Sequence, residues 1–415
     1  MARLSLLVIY LLIFPSLSLA TNLTLSGYSE TGKRTQAEDF EEEDDDGEYT
    51  FRNYHLRLEH RLYDRFTYSL GSFIYDKDYK VRDALDNISN IFDFKGSYYL
   101  KMRKEGSLRL NIRLRYKEKR YRNAPSNEYN QVVFYPGLTY EKKDSYSIDL
   151  SAGINNYDYV RTGGNDQFKI FSKIGAKRYF LDKKLMVKSS YKLEAMANRR
   201  TDRQKNKSDF MLGFDYVFDL PYISKIITRA KFGQRDTKDD DERDEDFDYK
   251  YSQFYIKTTH KIDSAVKTDL KYQYFQKDYL TANLDHNGFY IRNTWRYIVL
   301  TDKTNEIIFN FTAKHKGVKY TLTSGRDYQK ETLGIGGIYR RRKDLKASAS
   351  LQGNFYDYKD STKDKNRYYV KLSFEKLFPE KELRLSLDLK YKFTDNKQRN
   401  DTEEESVRLT FKYRL

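Results

Sequence analysis

The chain has 415 residues, among them 77 Lys and Arg against 61 Asp and Glu, 39 Tyr, 26 Phe and no Cys. The lack of cysteine excludes a disulfide scaffold, a thiolate metal site and a thiol nucleophile. Only 39% of the residues are apolar and 33% are charged, but 16% are aromatic, which is far too many for a disordered chain.

The first twenty residues predict an export signal. Arg3 precedes an apolar run from Leu6 to Phe14, and small residues, Ser18 and Ala20, occupy the third-last and last positions of the segment. A basic start, an apolar middle and a small-residue end are typical of a secretory signal peptide, which is removed after export. We therefore expect residues 1–20 to be a signal peptide and residues 21–415 to form one domain.

Beyond this segment, apolar and polar residues alternate. Leu110, Ile112 and Leu114 fall on one face of an extended segment, whereas Arg109 and Arg113 fall on the other. Such alternation predicts β-strands with one apolar and one polar face. The runs last about 9–12 residues, the length of a tilted strand that crosses a bilayer. The predicted strands are centred near residues 26, 56, 71, 97, 112, 136, 150, 173, 191, 213, 230, 255, 271, 294, 311, 335, 350, 371, 388 and 410.

The segments between these strands alternate in length. Short ones such as 142–144 and 342–344 take turns with longer polar ones such as 77–90, 118–129 and 316–327. This rhythm is typical of short periplasmic turns and long extracellular loops. The sequence therefore predicts an all-β protein, a transmembrane antiparallel up-and-down β-barrel of about 20 strands, with about 18 as the alternative. A soluble β-sandwich, with its charged rows outside, is the competing interpretation.

The last residues carry a resemblance. Val407, Leu409, Phe411, Tyr413 and Leu415 share one face, and this segment resembles the C-terminal signature of bacterial outer-membrane β-barrels of the porin-like class. Those barrels usually end in Phe or Trp, whereas this sequence has Leu415 at that position. The resemblance implies recognition by the barrel assembly machinery and a place in the outer membrane of a Gram-negative bacterium, among lipid and lipopolysaccharide. It points to no single family.

Charge is segregated along the chain. Residues 38–48 hold nine acidic residues and no basic one, and residues 236–248 hold nine acidic and two basic ones. Basic residues dominate elsewhere, and many occupy inward positions of the predicted strands. A confined basic wall concentrates anions. The predicted lumen-lining basic residues of the permeation path are Arg57, Arg109, Arg113, Arg115, Lys173, Lys192, Lys231, Lys271, Arg292, Arg296, Arg384, Lys390, Arg408 and Lys412.

Motifs for catalysis are missing from the sequence. It contains no Gly-x-Ser-x-Gly, phosphate-binding loop, dinucleotide fingerprint or His-Glu-x-x-His. We therefore predict no enzymatic activity, no catalytic residues, no cofactor and no metal. Basic charge interleaved with aromatics is also a signal for nucleic-acid binding. Here the basic residues are spread over the whole length instead of forming one patch, so we expect no nucleic-acid partner.

These patterns predict an outer-membrane pore with a basic lumen, for diffusion of anionic solutes or for export of an acidic polymer. The alternative is a non-conducting structural or partner-binding barrel, in which inward rings such as Phe73, Tyr75 and Phe171 fill part of the lumen. A barrel hydrolase is a third interpretation, which would need a cluster of reactive side chains near one rim. The oligomeric state is left open by the sequence.

Overall fold

A computed structural model describes residues 23–36, 49–62, 65–79, 86–102, 106–160, 166–198, 204–218, 223–238, 248–279, 284–301, 304–321, 324–341, 344–378, 382–397 and 401–414. The predicted signal peptide, residues 1–20, lies outside the described residues. In the part of the chain that is described, no helix has the length and apolar character needed to span a membrane.

The described residues are almost entirely β-strand, with three single 3-10 turns at Pro125–Asn127, Ser324–Arg326 and Ser361–Lys363. The strands are β1 (Leu23–Gln36), β2 (Tyr49–Leu62), β3 (Phe66–Tyr79), β4 (Asn87–Met102), β5 (Gly106–Tyr121), β6 (Tyr129–Lys142), β7 (Tyr146–Tyr159), β8 (Gln167–Phe180), β9 (Leu185–Asn198), β10 (Gln204–Val217), β11 (Ile223–Lys238), β12 (Tyr249–Lys261), β13 (Val266–Tyr279), β14 (His286–Thr301), β15 (Asn305–Tyr320), β16 (Tyr328–Arg341), β17 (Leu345–Tyr358), β18 (Lys365–Phe378), β19 (Leu383–Asn396) and β20 (Thr402–Arg414).

The twenty strands form one closed antiparallel barrel. Every strand pairs with its neighbours in the chain, and β20 pairs with β1, where Glu30 lies opposite Arg408. Each of the twenty predicted strand centres falls inside the corresponding strand, so the predicted fold class is confirmed. An even number of strands places the first and last strand ends on the short-turn side, which in barrels of this kind is the periplasmic side.

The strands are longer than their alternation indicated. They contain 13 to 16 residues, so the expected length of about 9–12 residues was too short. A strand of 14 residues is about 46 Å long and, at a tilt of about 40°, rises about 35 Å, which exceeds the hydrocarbon core of about 30 Å. The extra residues come from segments predicted as long loops: 118–121 belong to β5 and 316–320 to β15.

Six connections on the long-loop side share one hydrogen bond. In each, the carboxylate of the Asp just before the second strand accepts the backbone N–H of the residue that ends the first strand, at 2.5–2.7 Å. We call these bonds the hairpin clamps. Their donor and acceptor pairs are Tyr79 and Asp86, Tyr159 and Asp166, Tyr279 and Asp285, Tyr320 and Asp327, Tyr358 and Asp364, and Asn396 and Asp401.

A compact apolar core is missing from the described residues. Their only buried apolar side chains are Leu58, Leu70, Ile308 and Val318. Large apolar side chains lie instead on the outer face, where Leu110, Ile112 and Leu114 of β5 are 40–45% exposed. In a soluble protein this exposure would be unfavourable, whereas in a bilayer these rows contact lipid chains.

Candidate functional site

The polar row of each strand faces the inside of the barrel. On a concave wall, side chains converge, so strands that are two apart come into contact. Lys390 Nζ of β19 lies 3.7 Å from Glu30 Oε1 of β1, across β20. The Tyr251 hydroxyl of β12 donates to Asp209 of β10, across β11. Both contacts belong to the polar rows, which therefore line the lumen.

All fourteen basic residues predicted to line the lumen lie on these inward rows, but they differ in their partners. Nine lie within 4.0 Å of a carboxylate: Arg57, Arg113, Arg115, Lys192, Lys231, Arg296, Arg384, Lys390 and Arg408. Among the described residues, five have no carboxylate at that distance: Arg109, Lys173, Lys271, Arg292 and Lys412. The predicted set therefore contains both neutralised and free charges.

Two of these free charges, Lys271 and Arg292, lie side by side in one sector of the wall. The strand register places Lys257 of β12 opposite Lys271 of β13, Lys271 opposite Arg292 of β14, and Arg292 opposite Lys314 of β15. We call Lys257, Lys271, Arg292 and Lys314 the cation row. Like charges directly opposite each other destabilise a sheet, so four in succession are an arrangement that folding alone does not favour.

The surroundings of the cation row neutralise little of its charge. Lys257 Nζ lies 3.3 Å from Asp269 Oδ2, and Arg292 Nε donates to Thr294 Oγ1 at 3.0 Å. Within the described chain, Lys271, Arg292 and Lys314 have no carboxylate within 4.0 Å. Lys271 Nζ lies 4.7 Å from the ring centre of Tyr255 and 5.5 Å from that of Tyr290. An anion in the lumen would therefore meet at least three basic groups that lack a carboxylate partner.

A second sector, at the closure of the barrel, is arranged in the opposite way. Glu30 of β1 is 6% exposed. It accepts from Arg408 Nη2 of β20 at 2.6 Å and from Asn53 Nδ2 of β2 at 3.4 Å, with Lys390 also within reach. One carboxylate thus holds two bases and a neighbouring amide. We call the β1–β20 pairing the seam.

Two other carboxylates act like Glu30. Asp93 of β4 accepts two hydrogen bonds from Arg113, at 2.9 and 3.1 Å, and lies near Lys95 and Arg115 as well. Asp215 of β10 forms an ion pair with Arg229 of β11 and also lies near Lys188 and Lys225. The bases around these acids are fixed to the wall, and less of their charge acts on a solute.

Lys257 and Lys314 of the cation row were not among the fourteen predicted residues. The parity of each strand gives the face of a residue but not its partner on the next strand, which depends on register. For β12 and β13 the signal was present, because Lys257 and Lys271 lie at equal distances along the chain from Ser264, in the short turn that joins the two strands. Arg292 and Lys314 are related in the same way across 302–304.

No group of three or more His, Asp or Glu side chains in the described residues could hold a metal ion. No protein-family model matches the chain, and no curated protein matches its sequence.

The barrel is similar to solved structures. These include the outer membrane transporter YddB from Escherichia coli, with a TM-score of 0.59 at 8% identity over 95% of this chain and 81% of that one. The ferric citrate transporter FecA gives 0.54 at 8% identity over 96% and 79%. The siderophore receptor PirA from Pseudomonas aeruginosa gives 0.51 at 8% identity over 94% and 80%.

The fold is that of a bacterial outer-membrane β-barrel. At this identity the similarity concerns architecture alone, but together with the closed barrel of twenty strands it confirms the predicted class and the predicted location in the bacterial outer membrane. Barrels of this class include channels and transporters, and what this barrel does depends on the side chains of its own lumen.

Proposed function

We propose that this outer-membrane barrel is a pore that favours anions, and that the cation row sets the preference. Barrels of about 16–18 strands already enclose water-filled channels, and this one has more strands. The observation that carries the proposal is the direct opposition of Lys271, Arg292 and Lys314 with no carboxylate within 4.0 Å in the described chain.

The physical reason is electrostatic. Two like charges about 6 Å apart repel each other by about 0.7 kcal/mol in bulk water and by about 3 kcal/mol at an effective dielectric constant of about 20. An anion between two members of the row relieves part of this repulsion and gains attraction from both. A cation meets the opposite field. The row therefore raises the local concentration of anions and lowers that of cations.

The proposal includes both small anions and an acidic polymer, because the same wall attracts either. A polymer gains more, since several of its charges contact the row at once and each added contact is intramolecular. The alternative of a non-conducting barrel draws support from the aromatic contacts around His55, which stacks on Phe73 with ring centres 3.9 Å apart. A measurement of conductance distinguishes the pore from the non-conducting barrel.

The test is the reversal potential of the purified protein in a planar bilayer under a potassium chloride gradient. We expect steady conductance with a reversal potential that is shifted from zero toward the equilibrium potential of chloride. The variant Lys271→Gln with Arg292→Gln should move the reversal potential toward potassium. The matched control is Lys250→Gln with Lys319→Gln, which removes two exposed charges from the outward rows of β12 and β15. A silent membrane, or equal shifts in the two variants, would contradict the proposal.

A further inference from the structure

Lumen-facing rings lead from the long-loop end of the barrel to the cation row. On β12, Tyr249, Tyr251 and Tyr255 share the inward face with Lys257. The register puts Tyr249 opposite Tyr279, and Gln253 opposite Phe275. It also puts Gln273, the partner of Tyr255, opposite Tyr290 of β14. We call Tyr249, Tyr251, Phe275, Tyr255 and Tyr290 the aromatic track.

The track has a regular spacing. Inward positions recur every two residues, which is about 6.7 Å along a strand. From the end of β12 at Tyr249 down to Lys257, each successive level carries at least one ring: Tyr249, then Tyr251, then Phe275 opposite Gln253, then Tyr255 and Tyr290. The level after these is the cation row. A ligand that moves along this wall would contact a ring at each level.

Most of these rings have a basic group on one face. Lys277 Nζ lies 3.7 Å from the ring centre of Tyr249, and Lys231 Nζ lies 5.0 Å from that of Tyr251. Lys271 lies between Tyr255 and Tyr290. A cation and a neutral ring attract each other more weakly than a cation and a carboxylate that share a hydrogen bond. Lys231 is already paired with Asp209, but within the described chain Lys277 and Lys271 have no carboxylate within 4.0 Å. An incoming carboxylate would therefore draw these two ammonium groups and leave the faces of the rings beside them free for stacking.

Amide groups lie among the rings. Gln253 and Gln273 occupy inward positions between Tyr251, Tyr255 and Tyr290, and both amides donate and accept hydrogen bonds. Such groups match a ligand that has hydroxyl groups at the edge of its rings. The combination of ring faces, basic groups and amides at a repeating distance suits a chain of hydroxylated rings that each carry an acid group.

We propose that the aromatic track binds an acidic oligosaccharide or polysaccharide with one carboxylate per sugar ring, and delivers it to or from the cation row. This rests on the proposed function, since it names the solute class of the same pore. Single-stranded nucleic acid also combines rings with negative charge, but its bases stack without needing the hydroxyl-matching amides of Gln253 and Gln273.

The test is block of the ion current in a planar bilayer by pentagalacturonate added on the long-loop side. We expect block, with a half-blocking concentration roughly tenfold lower than for maltopentaose, which lacks charge, or pentaglutamate, which lacks sugar rings. The variant Tyr255→Leu with Tyr290→Leu should raise the half-blocking concentration of pentagalacturonate roughly tenfold.

The matched control is Tyr135→Leu with Phe171→Leu. These two rings stack in the lumen with centres 5.1 Å apart, on strands outside the track. Block that is unchanged in this control supports the proposal. Equal block by pentaglutamate, unchanged block in the track variant, or stronger block by pentathymidylate would each overturn it, while the reversal potential still reports on the pore itself.

Isothermal titration of the detergent-purified protein with pentagalacturonate separates binding from conduction. If the protein conducts no current but binds pentagalacturonate, and the track variant binds it more weakly, the track is a saccharide site and the pore proposal is wrong. Conduction of anions without any binding of pentagalacturonate would keep the pore and overturn the track.

Discussion

Two sectors of the lumen wall contain similar basic residues and use them in opposite ways. At the seam, Glu30 accepts from Arg408 and lies near Lys390, so the charges of the two bases are largely satisfied within the wall. On β13 to β15, Lys271, Arg292 and Lys314 oppose one another without a carboxylate nearby. The difference indicates that the number of bases in a lumen says little about its selectivity. What matters is how many of them the wall leaves unneutralised.

The largest expected effect comes from reversing charge in the cation row. The variant Lys271→Glu with Arg292→Glu replaces two free cations by two anions at the middle of the sector. We expect the permeability ratio of chloride to potassium to fall by roughly tenfold, as expected when the field at this level changes sign. Bilayer reversal potentials measure this ratio. Lys250→Glu with Lys319→Glu, on the outward rows of the flanking strands β12 and β15, should leave it nearly unchanged.

The next effect concerns stability at the seam. Glu30→Gln keeps the shape of the side chain but removes the charge that Arg408 and Lys390 share, so we expect the free energy of unfolding to fall by about 1 to 3 kcal/mol. Urea titration in phospholipid vesicles measures this change. The control is Glu405→Gln, on the same seam, where Glu405 and Lys33 are both more than half exposed and the loss should stay below about 1 kcal/mol. Equal losses would remove the distinction between the two pairs.

The fold class was predictable because lipid and water select side chains in strict alternation, and every predicted strand centre lies within the right strand. The strand ends were not predictable. At Glu118 to Tyr121 the chain has left the hydrocarbon, and its outward face no longer needs to be apolar, so the alternation fades while the pairing with β4 continues. The ion pair of Arg113 with Asp93 was not predictable either, because it depends on the register between β4 and β5.

A smaller effect is expected at the hairpin clamps, which occur at the long-loop end of both sectors. Asp327→Ala removes the acceptor for the Tyr320 N–H, next to the cation row sector, and Asp401→Ala removes the acceptor for the Asn396 N–H, near the seam. Each should lower the free energy of unfolding by about 1 kcal/mol, as read from urea midpoints. Asp357→Ala, an exposed outward acid on β17, is the control. If only one sector responded, the clamps would not be equivalent.

The smallest effect is a pH dependence in the turn between β16 and β17. Hydrogen bonds from Lys376 at 3.0 Å and Arg341 at 3.1 Å lower the pKa of Asp344 to about 2. Since an unfolded Asp has a pKa of about 3.9, the contribution of Asp344 to stability is present above that value and is lost as the pH falls through about 2. Urea midpoints of the wild type and Asp344→Asn should differ near neutral pH and converge below that pKa. A constant difference would argue against this ion pair.

The contact between Glu30 and Arg408 joins residues that are 378 positions apart. It forms only when the first and last strands meet, which requires nearly the whole polypeptide to have been delivered and arranged. Until then both edges would expose unpaired amides, which are costly in hydrocarbon. A truncated polypeptide without its last strand would leave this acid without its main partner. The ion pair is therefore present only in a barrel whose first and last strands have paired.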